Sequence, residues 1–353
     1  MARWTPSGLE SSDPWFDSAD AYYIPVAGFG SLRQAGPEIE IWDIDRFSAV
    51  TADRQSGVSI FAKGYALWAG VMLLDGDIDG SLELIQRGSE LAENETDAQT
   101  SRVLNFALTK VLYEEKRYVE ALEICHKLIK KWPDWHMMYD AVGLLYDAVG
   151  NGEAAISAYN RSLSLNPDRP LVHNNLAVAH RALGNRPEAI RHWERAIALD
   201  PAYADAHYNL GTEYYLRGDL PQALRHLERV LSLQPDNVLA YDIAGRAAHA
   251  LGAPDQAVHL WGRAVEIDPE NADLHYNIAI TFQRDLEGYN RAIPYWHQFL
   301  RIRPSDIDAL WRIAEAYENV GNHEQKEHWL RRIIELHPDQ AEVDGIKSLL
   351  QPR

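Results

Sequence analysis

The chain has 353 residues and a single cysteine, Cys125, so an intrachain disulfide is impossible. That scarcity fits a reducing compartment, and a cytoplasmic location is expected. No run of about eighteen apolar residues occurs, which excludes a helix crossing a membrane. The opening residues, Met1-Ala2-Arg3-Trp4-Thr5-Pro6, lack the apolar core of a secretory leader. Basic charge is in deficit. Against 52 Asp+Glu stand 34 Lys+Arg, a net charge of −18. Such a chain repels polyanions, so neither nucleic acid nor an anionic membrane surface is an expected partner. A basic or neutral protein partner fits the charge better. No His-Glu-x-x-His or Cys-x-x-Cys spacing occurs, and no metal, cofactor or catalytic residue is expected.

What the chain has is a period. Pro133, Pro167, Pro201, Pro235, Pro269, Pro304 and Pro338 are spaced by 34 residues at every step but one, which is 35. Between them run two apolar patterns of helical period, separated by Gly150, Gly184, Gly218, Gly252, Gly288 and Gly321. Glycine there allows the left-handed residue that closes a helix, and the corner proline, with its fixed φ, ends one helix and prepares the next. Pro187, Pro221 and Pro254 fall in the first turn of a second helix, where a missing N–H costs little. Each unit therefore reads as helix, tight turn, helix, corner.

Small and bulky residues alternate at fixed places. The unit 136–169 has Tyr139, Val142-Gly143, Tyr146, Ala155, Tyr159, Ser162 and Pro167. The unit 170–203 has Leu176-Ala177, Ala189, Trp193 and Ala196, and 204–237 has Leu210-Gly211, Tyr214, Ala223 and Leu227. The unit 238–271 has Tyr241, Ala244-Gly245, Ala257, Trp261 and Ala264, and 272–306 has Ile278-Ala279, Phe282, Ala292 and Trp296. The extra residue of that last unit is expected near Glu287-Gly288-Tyr289. Units 102–135 and 307–340 match less well, with Thr109 and Lys326 at usual small places, and a divergent first unit covers about 62–95, followed by a loop near 96–101. This pattern resembles the tetratricopeptide repeat over about 280 residues. The resemblance implies an all-α, right-handed superhelical solenoid of about seven to eight helix-turn-helix repeats, spanning 58–340, with a capping helix over 341–353.

Residues 1–57 differ. They mix Trp4, Trp15, Phe16, Tyr22, Tyr23, Phe29, Trp42 and Phe47 with acids and turn formers, and no helical period is sustained. Three readings stand: an irregular cap on the outside or end of the first repeats, a segment lying in the groove of the solenoid or docked on a partner, or a disordered tail.

If the resemblance holds, the first helix of each unit lines a concave groove. Its inward places carry Asn174, Asn175, Arg181, Tyr208, Asn209, Tyr215, Asp242, Arg246, Tyr276, Asn277, Arg284, Trp311 and Arg312. Amide side chains both donate to and accept from a peptide backbone, tyrosines offer rigid contact area, and arginines meet carboxylates. The expected function is a non-catalytic scaffold or adaptor binding another protein or an extended peptide in this groove. The alternative is a regulatory sensor of a small ligand. Self-association by stacking of end repeats is also open. The asparagines resemble the repeat region of O-linked N-acetylglucosamine transferases, whose catalytic domain has no counterpart here. The family's clamp for chaperone tails is not expected, because Asn174, Val178, Leu239 and Ile243 stand at its places. His173, His207 and His275 share one place in three units and are expected to lie along the stack without converging. Cys125, at the bulky core place of its unit, is expected to be buried and inert.

Overall fold

The computed structural model describes residues 78–94 and 98–336. The expectations for 1–57, for the first helix of the divergent unit at 62–95, and for a capping helix at 341–353 lie outside the described residues. The chain divides into two compact units, Met1–Leu199 and Asp200–Arg353. The first holds α1 (Ile78–Asn94), α2 (Ala98–Glu114), α3 (Tyr118–Lys131), α4 (His136–Ala148), α5 (Gly152–Leu165), α6 (Pro170–Ala182) and α7 (Arg186–Leu199). The second holds α8 (Ala204–Arg217), α9 (Leu220–Leu233), α10 (Val238–Ala250), α11 (Pro254–Ile267), α12 (Ala272–Arg284), α13 (Tyr289–Ile302), α14 (Ile307–Asn319) and α15 (His323–Leu336). Among the described residues there are no strands. Among the described residues, seven consecutive helical hairpins, α2/α3 to α14/α15, match the repeats, and α1 precedes them. One boundary moves: α2 begins at Ala98, where the sequence suggested a loop.

Local chemistry explains the boundaries. Asn151, Asp219, Asn237, Asn271 and Asp306 each accept, through the side chain, the N–H of the third residue onward. Each such cap is worth about 1 kcal/mol. Pro170 and Pro254 open α6 and α11, and Pro221 follows the first residue of α9. In the turn between paired helices, the N–H of Asn151 bonds Tyr146 O at 2.8 Å, that of Asn185 bonds His180 O at 2.8 Å, and that of Asn322 bonds Tyr317 O at 2.9 Å. The residue before each of these donors is Gly150, Gly184 and Gly321, with φ between 77° and 80°. The long turn differs. Gly288 N–H bonds Phe282 O, one residue further along, and the left-handed residue is Glu287 at φ 48°. The extra residue does lie there, but Gly288, at φ −94°, is the cap of the next helix and not the left-handed residue.

Small residues let the paired helices approach. A Cβ built on Gly143 would overlap the Tyr159 ring, and one on Gly245 would overlap the Trp261 ring. Ala189, Ala223, Ala257 and Ala292 are fully buried, as are Trp193 and Trp296. Within the first unit the core runs from Leu82 to Ala179, and within the second from Leu227 to Ile333. Cys125 is fully buried, its Sγ 3.8 Å from Thr109 Oγ1, and burial pushes its thiol up to about 12. It is inert as expected. An interior ion pair, Arg169 to Asp140 at 2.9 Å, ties the start of α6 to α4.

Candidate functional site

The first helices of the hairpins are α2, α4 and α6 in one unit and α8, α10, α12 and α14 in the other. With 3.6 residues per turn, their second, fifth, sixth, ninth, twelfth and thirteenth residues share one broad face. Each predicted site residue lies on that face of its own helix.

On α6, Asn174 is buried at 7% exposure, which removes it from an open surface. Its Nδ2 donates to Asn175 Oδ1 at 3.4 Å, and Asn175 is half-buried. Asn174 thus braces its neighbour rather than presenting itself. Arg181 lies 5.7 Å from the Trp193 ring centroid, a cation–π contact that holds the guanidinium flat on the core.

The second unit carries the other ten residues. Tyr208, Tyr276 and Trp311 pack their rings on the core and keep part of each ring exposed. Asp242 and Arg246 form an ion pair at 3.0 Å one turn apart. Tyr276 Oη donates to Asp308 Oδ2 at 2.9 Å, bridging α12 to α14. Burial first, and then the Asp308 carboxylate, raises the Tyr276 phenol above its ordinary value, so it stays a donor. Arg312 reaches Asp308 at 3.4 Å and Glu315 at 3.5 Å. Asn209, Tyr215 and Asn277 are half-buried, and Arg284 is exposed at the end of α12. The Asn277 Nδ2 atom is shielded from solvent and has no hydrogen-bond partner. At the twelfth and ninth places of this face, Gln283 and Glu315 join the core: Trp296 Nε1 donates to Gln283 Oε1 at 2.9 Å, and Gln283 Nε2 donates to Glu315 Oε2 at 2.7 Å. The core tryptophan of one hairpin thereby sets a carboxylate on the next first helix.

Two of the three histidines singled out in the sequence meet partners that the sequence reading left out. His173 Nδ1 meets His192 Nδ1 at 3.1 Å, and His207 Nδ1 meets His226 Nδ1 at 2.9 Å. The sequence expectation counted only one member of each pair. His192 and His226 escaped it because the repeat pattern leaves their place unspecified; their common offset of 19 residues from His173 and His207 was the available signal. Among the described residues no group of three or more His, Cys, Asp or Glu is placed to hold a metal ion. No helix among them is long and apolar enough to cross a membrane.

Models of the tetratricopeptide repeat match residues 138–169, 168–236 and 208–272. No curated protein matches the sequence. Among solved structures, the C-terminal part of a TPR repeat-containing protein from Cytophaga hutchinsonii aligns with a TM-score of 0.57 at 16% identity, covering 69% of this chain and 98% of that one. YrrB, described as a TPR protein with an unusual peptide-binding site, aligns at 0.48 and 20% identity over 55% of this chain and 99% of its own. MamA aligns at 0.44 and 22% identity over 52% of this chain and 97% of its own. The Cytophaga structure is similar in fold.

Proposed function

Because this chain is a tetratricopeptide-repeat protein, we propose that it is an interaction scaffold that binds an extended polypeptide on the face of the first helices α8, α10, α12 and α14, without catalytic chemistry of its own. The observation that carries the reading is Asn277. Its side-chain Nδ2 is shielded and unpartnered on α12, one residue after Tyr276. The residue as a whole is half-buried, so a peptide carbonyl that displaces the cover over Nδ2 supplies the missing acceptor, and a shielded donor gains about 1–2 kcal/mol when it is satisfied. Asn175 and Asn209 stand at the same place of their own helices, and an amide there both donates to and accepts from a peptide backbone without reading its sequence. Asp242 and Arg246, already paired, contribute polar rim rather than net charge, while the exposed Arg284 offers a contact for a carboxylate.

The chain's own residues 1–57 are one occupant with matching chemistry. They are rich in aromatics for contact with Tyr208, Tyr276 and Trp311, and rich in carboxylates for Arg284. The test uses a synthetic peptide of residues 1–57 and a randomised library of extended peptides, each titrated against a chain starting at Val58. Changing Asn209 and Asn277 together to Ala is predicted to leave helicity intact and weaken peptide binding about tenfold, roughly 1.4 kcal/mol. Unchanged affinity of every binding peptide for the double variant would sink the reading. Binding of library peptides but not of 1–57 removes only the intramolecular occupant.

A further inference from the structure

Two consecutive hairpins carry the same unusual bond. In α6/α7 it joins His173 to His192, and in α8/α9 it joins His207 to His226, each through facing Nδ1 atoms. The first member of each pair is fixed from behind. His173 Nε2 donates to the carbonyl of the corner residue Pro167 at 3.1 Å, and the Pro201 carbonyl accepts from His207 in the same manner. With its proton on Nε2, the neutral first ring presents a lone pair at Nδ1. The second ring must then carry its proton on Nδ1 and donate. A proton added at Nε2 of the second ring leaves the bond in place, since that ring still donates from Nδ1, but puts a charge on a ring packed between the two helices. A proton added at Nδ1 of the first ring sets two N–H groups face to face.

We infer that the His173–His192 and His207–His226 pairs are proton-sensitive latches, which hold the two helices of their hairpins together at neutral pH and release them on mild acidification. The third occurrence of the place serves as a control within the molecule. His275 Nε2 also donates to its corner carbonyl, Pro269 O, at 2.9 Å. Its ring faces Tyr295, with centroids 6.1 Å apart, so α12/α13 has the lock from behind but no second imidazole.

The surroundings offer the pairs little compensation for charge. His192 is stacked on His180 at 5.7 Å between centroids, and Arg191 beside it is held by Glu188 at 2.7 Å. Arg195 and Asp168, the charged neighbours of His173, pair with each other at 2.9 Å. His226 is stacked on Tyr214 and faces Arg225; Arg229, Arg225 and Asp200 act on His207. Burial, followed by repulsion from the partner histidine, pushes both His192 and His226 down to about 4, and burial lowers His173 and His207. An unfolded or opened imidazole titrates near 6.5. Between those values the opened hairpin binds more protons than the closed one, so stability is complete above about pH 6.5 and falls as pH drops toward 4.

The experiment is amide hydrogen exchange of the full chain, expressed as protection factors so that the intrinsic pH dependence of exchange cancels. Protection across α6–α9 is expected to fall about tenfold more than that across α12/α13 between about pH 7 and pH 5. The variant H192Y/H226Y, which installs the ring found at Tyr295, is expected to abolish that difference. An equal fall in all three hairpins, or an undiminished difference in the variant, overturns the inference. Should the variant fail to fold, the wild-type imidazole titration by NMR decides: four of these rings titrating near 6.5 overturns it, and values depressed below that uphold it.

Discussion

The hairpins α6/α7 and α12/α13 fill the same places with different chemistry. Both bury a tryptophan completely, Trp193 and Trp296, behind an alanine, Ala177 and Ala279. The Trp296 N–H continues into Gln283 and then Glu315 of the next first helix, whereas the Trp193 N–H has no hydrogen-bond partner and Arg181 covers its ring instead. One hairpin closes its second layer with His192, the other with Tyr295. The shared shape comes from the small–large packing. What differs is whether the hairpin answers to protons or is wired to its neighbour, and single polar atoms at the rim of the core decide that.

The largest test of this contrast removes the rings. Trp193→Ala and Trp296→Ala are each expected to lose about 3–5 kcal/mol of stability in urea unfolding, since both rings are buried and leave cavities. Phenylalanine separates them. Trp193→Phe removes a donor that has no partner, while Trp296→Phe leaves Gln283 Oε1 without its donor and loosens Glu315. The second change is predicted to cost about 1–2 kcal/mol more than the first. Equal costs would show that the Trp296–Gln283–Glu315 chain does not couple the helices.

The next effect concerns the contact between small and bulky residues. Gly245→Ala drives a methyl into the Trp261 ring, and Gly143→Ala into Tyr159. Each is expected to lose about 1–3 kcal/mol through overpacking. At Gly211 the same methyl meets Leu227 Cγ at 3.0 Å and the Ala223 carbonyl oxygen at 3.3 Å, a looser fit than against either ring, and the loss should be smaller. Thermal melting of the three variants ranks them; a Gly211 variant as unstable as the others would mean that the closer fit against a ring is not what distinguishes the sites.

These packing places were legible in the sequence because helix pairing demands them in every repeat: a corner proline, a small residue, a bulky one. The candidate face was legible only as positions. Helical periodicity places Asn174 beside Asn175 on one helix face, but burial depends on the neighbouring helix, and there Asn174 is covered. Pairs such as Tyr276–Asp308 and Gln283–Glu315 join residues 32 apart, at a separation no helical period reports. His192 and His226 lay at a place free to vary, so their partners surfaced only when the hairpins closed.

The smallest test compares turns. Gly184, at φ 80°, closes α6 where a side chain would be strained, and Glu287, at φ 48°, occupies the same left-handed region with a Cβ. A left-handed non-glycine residue costs about 1–2 kcal/mol. Glycine in its place loosens the unfolded chain by about 0.5–1 kcal/mol. Glu287→Gly is therefore expected to stabilise the chain by up to about 1.5 kcal/mol, while Gly184→Ala destabilises it by up to about 1.5 kcal/mol. The two shifts, read as changes in urea midpoint, should have opposite signs. If Glu287→Gly instead destabilises, the glutamate side chain must hold the longer turn through a contact that outweighs its backbone strain, and the inserted residue would then be a built feature of the α12/α13 hairpin rather than a tolerated one.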